Sequence, residues 1–275
     1  MANSVWVTAR PHPSLAGLVD RFIGYRTHGA PGVHRGLPSG HLTFVVSVER
    51  DVDVMAHSDP TQQPSRYRSL VGGFHVTPVL IRHDGYQEGI SIDLTPAGSR
   101  TLLGAPAAAL YNTTADIDDV VGRVGTELWE RVGSIGRWAD RFAVCDEVLG
   151  RLAEARAPRM PNAQIHHAWQ RLIGSGGETT VRSLAAEVGW SRQHLTRRFT
   201  SELGLSPKTA ARVIRFDRAR RMLQAPGGPP SLVRVSNDCG YYDQAHMTSE
   251  FTALAGCPPS QWLAAEQVPF VQDDS

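Results

Sequence analysis

A pattern that occurs twice constrains this chain more than its length or composition does. One copy is Val181–Phe199, VRSLAAEVGWSRQHLTRRF, and the other is Leu232–Phe251, LVRVSNDCGYYDQAHMTSEF. In each, a short apolar stretch at helical spacing ends at a glycine, Gly189 or Gly240. An aromatic residue follows, Trp190 or Tyr241, and then a residue suited to cap a new helix, Ser191 or Asp243. The second stretch is keyed by Leu195 or Met247 and by Phe199 or Phe251. The glycines lie 51 residues apart and the caps 52, so the second turn is one residue longer. Two short helices crossing at a glycine, with a small residue (Ala185 or Ser236) at the crossing, form a helix-turn-helix. In that motif the second helix enters the major groove of DNA.

The segment between the copies predicts a single helix over 206–224. Ser206 supplies an N-cap and Pro207 the first helical position, while Pro226, Gly227 and Gly228 provide a stop. Such a helix is roughly 27 Å long, enough to hold two reading heads about one DNA turn apart. The formal charge of +1 argues against a nucleic-acid partner until it is divided by segment. Residues 181–224 carry 10 basic and 3 acidic side chains, whereas residues 225–275 carry 1 and 6. The near-neutral total is a cancellation between neighbours, and it leaves a basic stretch of the kind that grips phosphate.

The first hundred residues read mostly as β. Leu15, Leu18, Val19, Phe22 and Ile23 predict one helix over Ser14–Arg26. Short strands are then predicted over His41–Val48, Val52–Met55, Arg66–Gly72, Val79–Arg82 and Gly89–Leu94, a small barrel or sandwich. Helices are predicted over Ser99–Leu103, Asp116–Val132 and Ile135–Ala155, followed by a linker at Ala155–Pro161. The apolar residues of the helices at 116–155 either pack on the barrel or form a dimer seam, with a slight preference for the seam. The fold expected is an α+β N-terminal domain over 1–157, then an all-α double helix-turn-helix domain over 162–265 with units at 181–203 and 231–255.

Residues 162–265 resemble the DNA-binding domain of AraC/XylS-type transcriptional regulators. The resemblance lies in LAAEVGWSRQHLTRRF at 184–199, GLSPKTAARVIRFDRARRML at 204–223, and CGYYDQAHMTSEF with GCPPSQW between 239 and 262. It covers about two-fifths of the chain. The N-terminal part is similar to the variable sensing portion of such regulators, and Ile92–Gly125 looks like one uncharacterised subset. The resemblance implies a regulator that reads double-stranded DNA and is modulated by its N-terminal domain. RNA polymerase, a small-molecule effector and a second copy of the chain are further partners it admits. Exposed near the start of the first reading helix, Arg192, Gln193, Thr196 and Arg197 are its expected DNA contacts; the resemblance places base-reading positions on Gln193, Thr196 and Arg197 and, in the second helix, on Gln244, Ala245, Thr248 and Ser249. Gln pairs bidentately with adenine and Arg with guanine, while Thr reaches a base edge or the thymine methyl.

The second set departs from the common pattern, because Ser249 stands where a basic residue is frequent and Asp243 and Glu250 are acidic. The first unit is therefore expected to supply most of the affinity. Seven histidines precede residue 84 (His12, His28, His34, His41, His57, His75 and His83), which raises a cupin-like metal-dependent enzyme as the rival reading. No HxH pair is present to place two rings on one sheet face, so no metal, cofactor or catalytic residue is expected. Ser-hydrolase elbows, P-loops and convincing dinucleotide fingerprints are absent too. Trp6, Tyr25, Phe44, Tyr67, Phe74 and Tyr86 either line an effector pocket or fill a core. With three scattered cysteines, no apolar run of membrane length and no leader, a cytoplasmic protein is expected.

Overall fold

Ten short strands alternate with polar turns through the first 116 residues, and every pairing among the named strands is antiparallel. The structure, a computed structural model, describes residues 4–156, 160–225, 228 and 230–266. In chain order the strands are β1 (Val5–Ala9), β2 (Val19–His28), β3 (Gly32–Gly36), β4 (Leu42–Ser47) and β5 (Val52–Ala56). They continue with β6 (Ser65–Tyr67), β7 (Ser69–Gly72), β8 (Val79–His83), β9 (Tyr86–Leu94) and β10 (Thr114–Asp116). A six-stranded sheet runs β1-β2-β9-β4-β7-β10 and a four-stranded sheet runs β3-β8-β5-β6.

The larger sheet is apolar on one face and mixed on the other, as period-2 alternation requires. Phe22, Ile92, Phe44 and Val71 stand in register across four strands, and all are buried. Ile23, Ser91, Val45 and Leu70, one position on, form the neighbouring row on the opposite face. The apolar row lies in the core with helices α3 (Val124–Gly133) and α4 (Trp138–Glu154), which follow the short helices α1 (Pro96–Gly98) and α2 (Ile117–Val121). The mixed row lines a cavity of 860 Å³ that also takes in Val33, Val52, Val54, Val79 and Ile81 of the smaller sheet.

Four expectations change. The helix over Ser14–Arg26 is a 3-10 turn at Pro13–Leu15 followed by β2. Gly17, at φ 78°, turns the chain, and a bulge between Val19 and Arg21 resets the alternation. Leu15, Val19 and Phe22 are therefore buried at helix-like spacing without a helix. The Asp116–Val132 helix is two, broken at Gly122 (φ 74°). The apolar residues expected at a dimer seam, Leu128, Val132, Phe142, Val148 and Leu149 among them, are buried in the core against the sheet. That face is spent within the chain. The Arg66–Gly72 strand is also divided, at Arg68, into β6 and β7. Residues 157–159 of the expected linker, and Pro226 and Gly227 of the expected stop, lie outside the described residues.

The rest of the described chain is helical: α5 (Ala163–Gly174), α6 (Val181–Glu187), α7 (Arg192–Leu203), α8 (Pro207–Leu223), α9 (Leu232–Asp238), α10 (Gln244–Ala255) and α11 (Pro259–Glu266). Its buried residues divide between two cores. Ile165, Trp169, Leu184, Leu195, Phe199 and Leu203 join the core of the large sheet. The ring of Trp169 lies 5.0 Å from Phe74 and 6.3 Å from Phe199, and Glu202 of α7 pairs with Arg100. Met247, Phe251 and Trp262 form a separate core, and α8 serves both: Ala210, Ala211 and Ile214 face the first, Val213, Phe216, Ala219 and Leu223 the second. No helix among the described residues is long and apolar enough to cross a membrane.

Candidate nucleic-acid interface

The repeat seen in the sequence is a repeat of geometry. Gly189 and Gly240 share φ 69°. Trp190 N donates to Ala185 O at 2.9 Å, and Tyr241 N donates to Ser236 O at 2.9 Å. The small residue at each crossing thus lends its carbonyl to close the turn. Gly189 N reaches Ala186 O at 3.2 Å and Gly240 N reaches Asn237 O at 3.1 Å. Each second helix starts on the expected cap: Ser191 Oγ accepts from His194 N at 3.1 Å, and Asp243 Oδ1 accepts from His246 N at 2.7 Å. An aromatic ring then meets a histidine of the helix edge-on, Trp190 with His194 at 4.6 Å and Tyr241 with His246 at 5.5 Å. Ser206 caps α8 through Thr209 N at 3.1 Å, and both reading helices end on left-handed glycines, Gly204 and Gly256.

Each reading helix turns its apolar side inward and leaves the other side free. Leu195 and Phe199 are buried in α7, while Arg192, Gln193 and Arg197 are exposed and Thr196 is half-buried. In α10, Met247 and Phe251 are buried, while Gln244, Ala245 and Ser249 are exposed and Thr248 is half-buried. The structure therefore brings the eight expected contact residues onto two free helix faces, four on each. Arg197 Nη2 lies 3.3 Å from His194 Nδ1, and Arg192 and Arg198 have no ion pair among the described residues.

Two acidic residues of the second unit, Asp243 and Glu250, are each engaged within the protein. Asp243 is engaged as the N-cap of α10. Glu250 has a side chain only 14% exposed and accepts from Arg212 Nε of α8 at 2.7 Å. Arg215, also on α8, lies over the Tyr241 ring at 5.3 Å and donates through Nη1 to Gly240 O at 3.3 Å, bracing the second turn. Burial, with Glu250 nearby, raises the Tyr241 phenol. Two arginines of the connecting helix thus neutralise and hold the second unit, which itself has no Lys or Arg within α10.

A second site lies where the sheets meet the helical part. The cavity between the sheets is closed at one end by Arg220, Arg221 and Gln224 of α8 and by Trp262 and Ala265 of α11. Arg220 and Arg221 both pair with Asp217; burial pushes that carboxyl up, but the two guanidinium groups hold it below its ordinary value. The indole N–H groups of Trp6 and Trp262, both cavity residues, are buried without a hydrogen-bond partner among the described residues. Close by, Asp20, His41 and Asp93 bring three metal-ligating types together. The spacing of the histidines gave no sign of this group, because strand pairing assembles it. Arg21 Nε occupies an Asp93 oxygen at 2.7 Å, and the His41 ring lies between the two carboxylates at 3.4 and 3.8 Å. Asp93 is thus already engaged by a guanidinium, and the group stands as the one set of three metal-ligating side chains among the described residues.

Residues 184–265 match a family described as a helix-turn-helix domain, and residues 7–116 match a domain of unknown function, DUF6597. An uncharacterized HTH-type transcriptional regulator, YbfI of Bacillus subtilis, is 32% identical over 68 residues, 25% of this chain and 24% of that protein. The HTH-type transcriptional regulator Rv1931c of Mycobacterium tuberculosis is 30% identical over 91 residues, 33% of this chain and 34% of that protein. The chain thus spans about a quarter to a third of these relatives' length. A crystal structure of ToxT from Vibrio cholerae superposes with a TM-score of 0.54 at 10% identity, covering 89% of this chain and 96% of that one. ToxT bound to an unsaturated fatty acid gives 0.52 at 9% identity, over 89% and 94%. At that identity the likeness is one of fold, and it extends over both halves.

Proposed function

We propose, from a C-terminal region that is an AraC-type helix-turn-helix domain, that this chain is a sequence-specific, DNA-binding transcriptional regulator. Its regulatory domain is assigned to residues 1–157 and its DNA-binding domain to 162–265. The observation that carries the reading is the doubled turn: two units of matching geometry, braced by one helix, each presenting a polar reading face. Arg192, Gln193, Thr196 and Arg197 read one major-groove segment, and Gln244, Ala245, Thr248 and Ser249 the next. Genome-wide footprinting, with the protein's own promoter included, tests this. Discrete sites at physiological salt are expected, and their absence sinks the reading.

The cavity between the sheets is the seat of a small-molecule effector. Its volume of 860 Å³ suits a drug-sized ligand. Valine and isoleucine side chains line its body, and arginines with unpaired indole N–H groups line its polar parts. Those groups favour a ligand with an apolar body and an anionic, hydrogen-bond-accepting end. The acid held by fatty-acid-bound ToxT has that character and supports this class. Native mass spectrometry of the purified protein, before and after mild denaturation, looks for such a molecule; the Trp262→Phe and Arg221→Ala variants are expected to lose it.

A further inference from the structure

We infer that an occupant of the inter-sheet cavity acts on the second reading unit and not on the first, and that Trp262 is the positioning residue through which it acts. The inference rests on the cavity being an effector site and deepens that reading by saying which part of the DNA-binding domain the effector reaches.

Among the described residues, the helical part contributes to the cavity wall only through the end of α8 and through α11; no residue of α5, α6 or α7 lines it. Trp262 is 2% exposed, yet it faces a cavity with an indole N–H that has no hydrogen-bond partner among the described residues. Buried donors of this kind are nearly always paired, so the group is waiting for an acceptor. The same ring packs on Phe251 at 5.5 Å, and Phe251 packs on Phe216 at 4.9 Å. Phe251 is the inward residue of the reading helix α10, whose outer face carries Gln244, Thr248 and Ser249. Cavity, Trp262, Phe251 and reading helix therefore form one packed line.

The first unit is anchored elsewhere. Phe199 of α7 packs through Trp169 to Phe74, in the core on the far face of the large sheet. Glu202 ties α7 to Arg100 in the same region. A ligand shifts an equilibrium only through contacts that differ between two states, and among the described residues of the helical part its contacts here are with the end of α8 and with α11 alone. The effector changes how α10 is presented while α7 stays fixed to the regulatory domain.

Hydrogen exchange on the full-length chain tests this without a ligand in hand. Val45 and Ser91 face the cavity side by side on β4 and β9, so Val45→Trp and, independently, Ser91→Phe occupy its volume. Either folded variant is expected to change exchange of amides across 244–263 at least threefold while leaving 192–203 unchanged. Adding Trp262→Phe, which keeps a ring on Phe251 but removes the N–H and the ring edge, is expected to cut that response by at least half. Equal changes in 192–203, or none in 244–263, overturn the inference; a response indifferent to Trp262→Phe removes Trp262 from it. Failure of the effector reading shows separately, as the absence of any bound small molecule by mass spectrometry.

Discussion

Arg197 and Ser249 occupy matching places in the two proposed reading helices, and the difference between them is expected to set how each unit holds DNA. A guanidinium at a phosphate releases counterions, whereas a hydroxyl does not. Arg197→Ala is therefore expected to weaken operator binding much more than Ser249→Ala. If Arg197 contacts phosphate, it also lowers the slope of log K against log salt by about 0.9. Equal losses at both positions, measured by titration at several salt concentrations, refute the asymmetry. Arg212 acts indirectly. It covers Glu250 at 2.7 Å, so Arg212→Gln uncovers a carboxylate near the duplex and is expected to weaken binding roughly tenfold, since like charges brought together at an interface cost on the order of a kcal/mol or more. Arg212→Gln with Glu250→Gln should recover most of that loss. A double variant as weak as the single one assigns Arg212 to direct phosphate contact instead.

At the scale of elements, the turns bear the most specific backbone demand. A Cβ at Gly189 would meet nothing within 4 Å, so Gly189→Ala isolates the cost of its φ of 69°. A loss of about 1–2 kcal/mol in unfolding free energy is expected, readable by denaturant titration, and Gly189→Asn should lose less. These helices were legible in the sequence because their determinants are local: a cap, a glycine and an apolar pair within twenty residues. The same holds for the reading faces, which follow from helical period once Leu195 and Met247 are known to point inward. Strand β2 was not legible, because a bulge gave Leu15, Val19 and Phe22 the spacing of a helix. Neither the cavity wall nor the Asp20, His41 and Asp93 group could be read, since each depends on pairing between strands tens of residues apart. The partner of helices α3 and α4 was equally hidden; an apolar face shows that something covers it, and only the sheet shows what.

Across the whole molecule, two cores share one connecting helix, and buried titratable groups in both parts make stability depend on pH. Burial holds His75 and His57 below the ordinary imidazole value. Both are favoured neutral in the folded chain, so their contribution is intact above about pH 6.5, the unfolded value. Below it the unfolded chain takes up protons that the folded chain resists, and stability falls. Asp217, held low by Arg220 and Arg221 despite burial, contributes a second loss only in stronger acid, below the ordinary carboxylate range. The melting temperature should decline from pH 7 to pH 5, and less so in a His57→Gln, His75→Gln double variant. Identical declines in both proteins would contradict this account.

The reading helix α10 has no cation of its own, and the carboxylate it does carry is covered. Ionic strength then becomes a filter. As salt rises, the grip of the arginine-rich first unit on any phosphate backbone is expected to fade, while the hydrogen bonds proposed for Gln244, Thr248 and Ser249 with base edges are expected to change little. Random sequence, held mainly by charge, is released before a true site that engages both units. A protein built this way would discriminate between sites best under the conditions in which it binds most weakly.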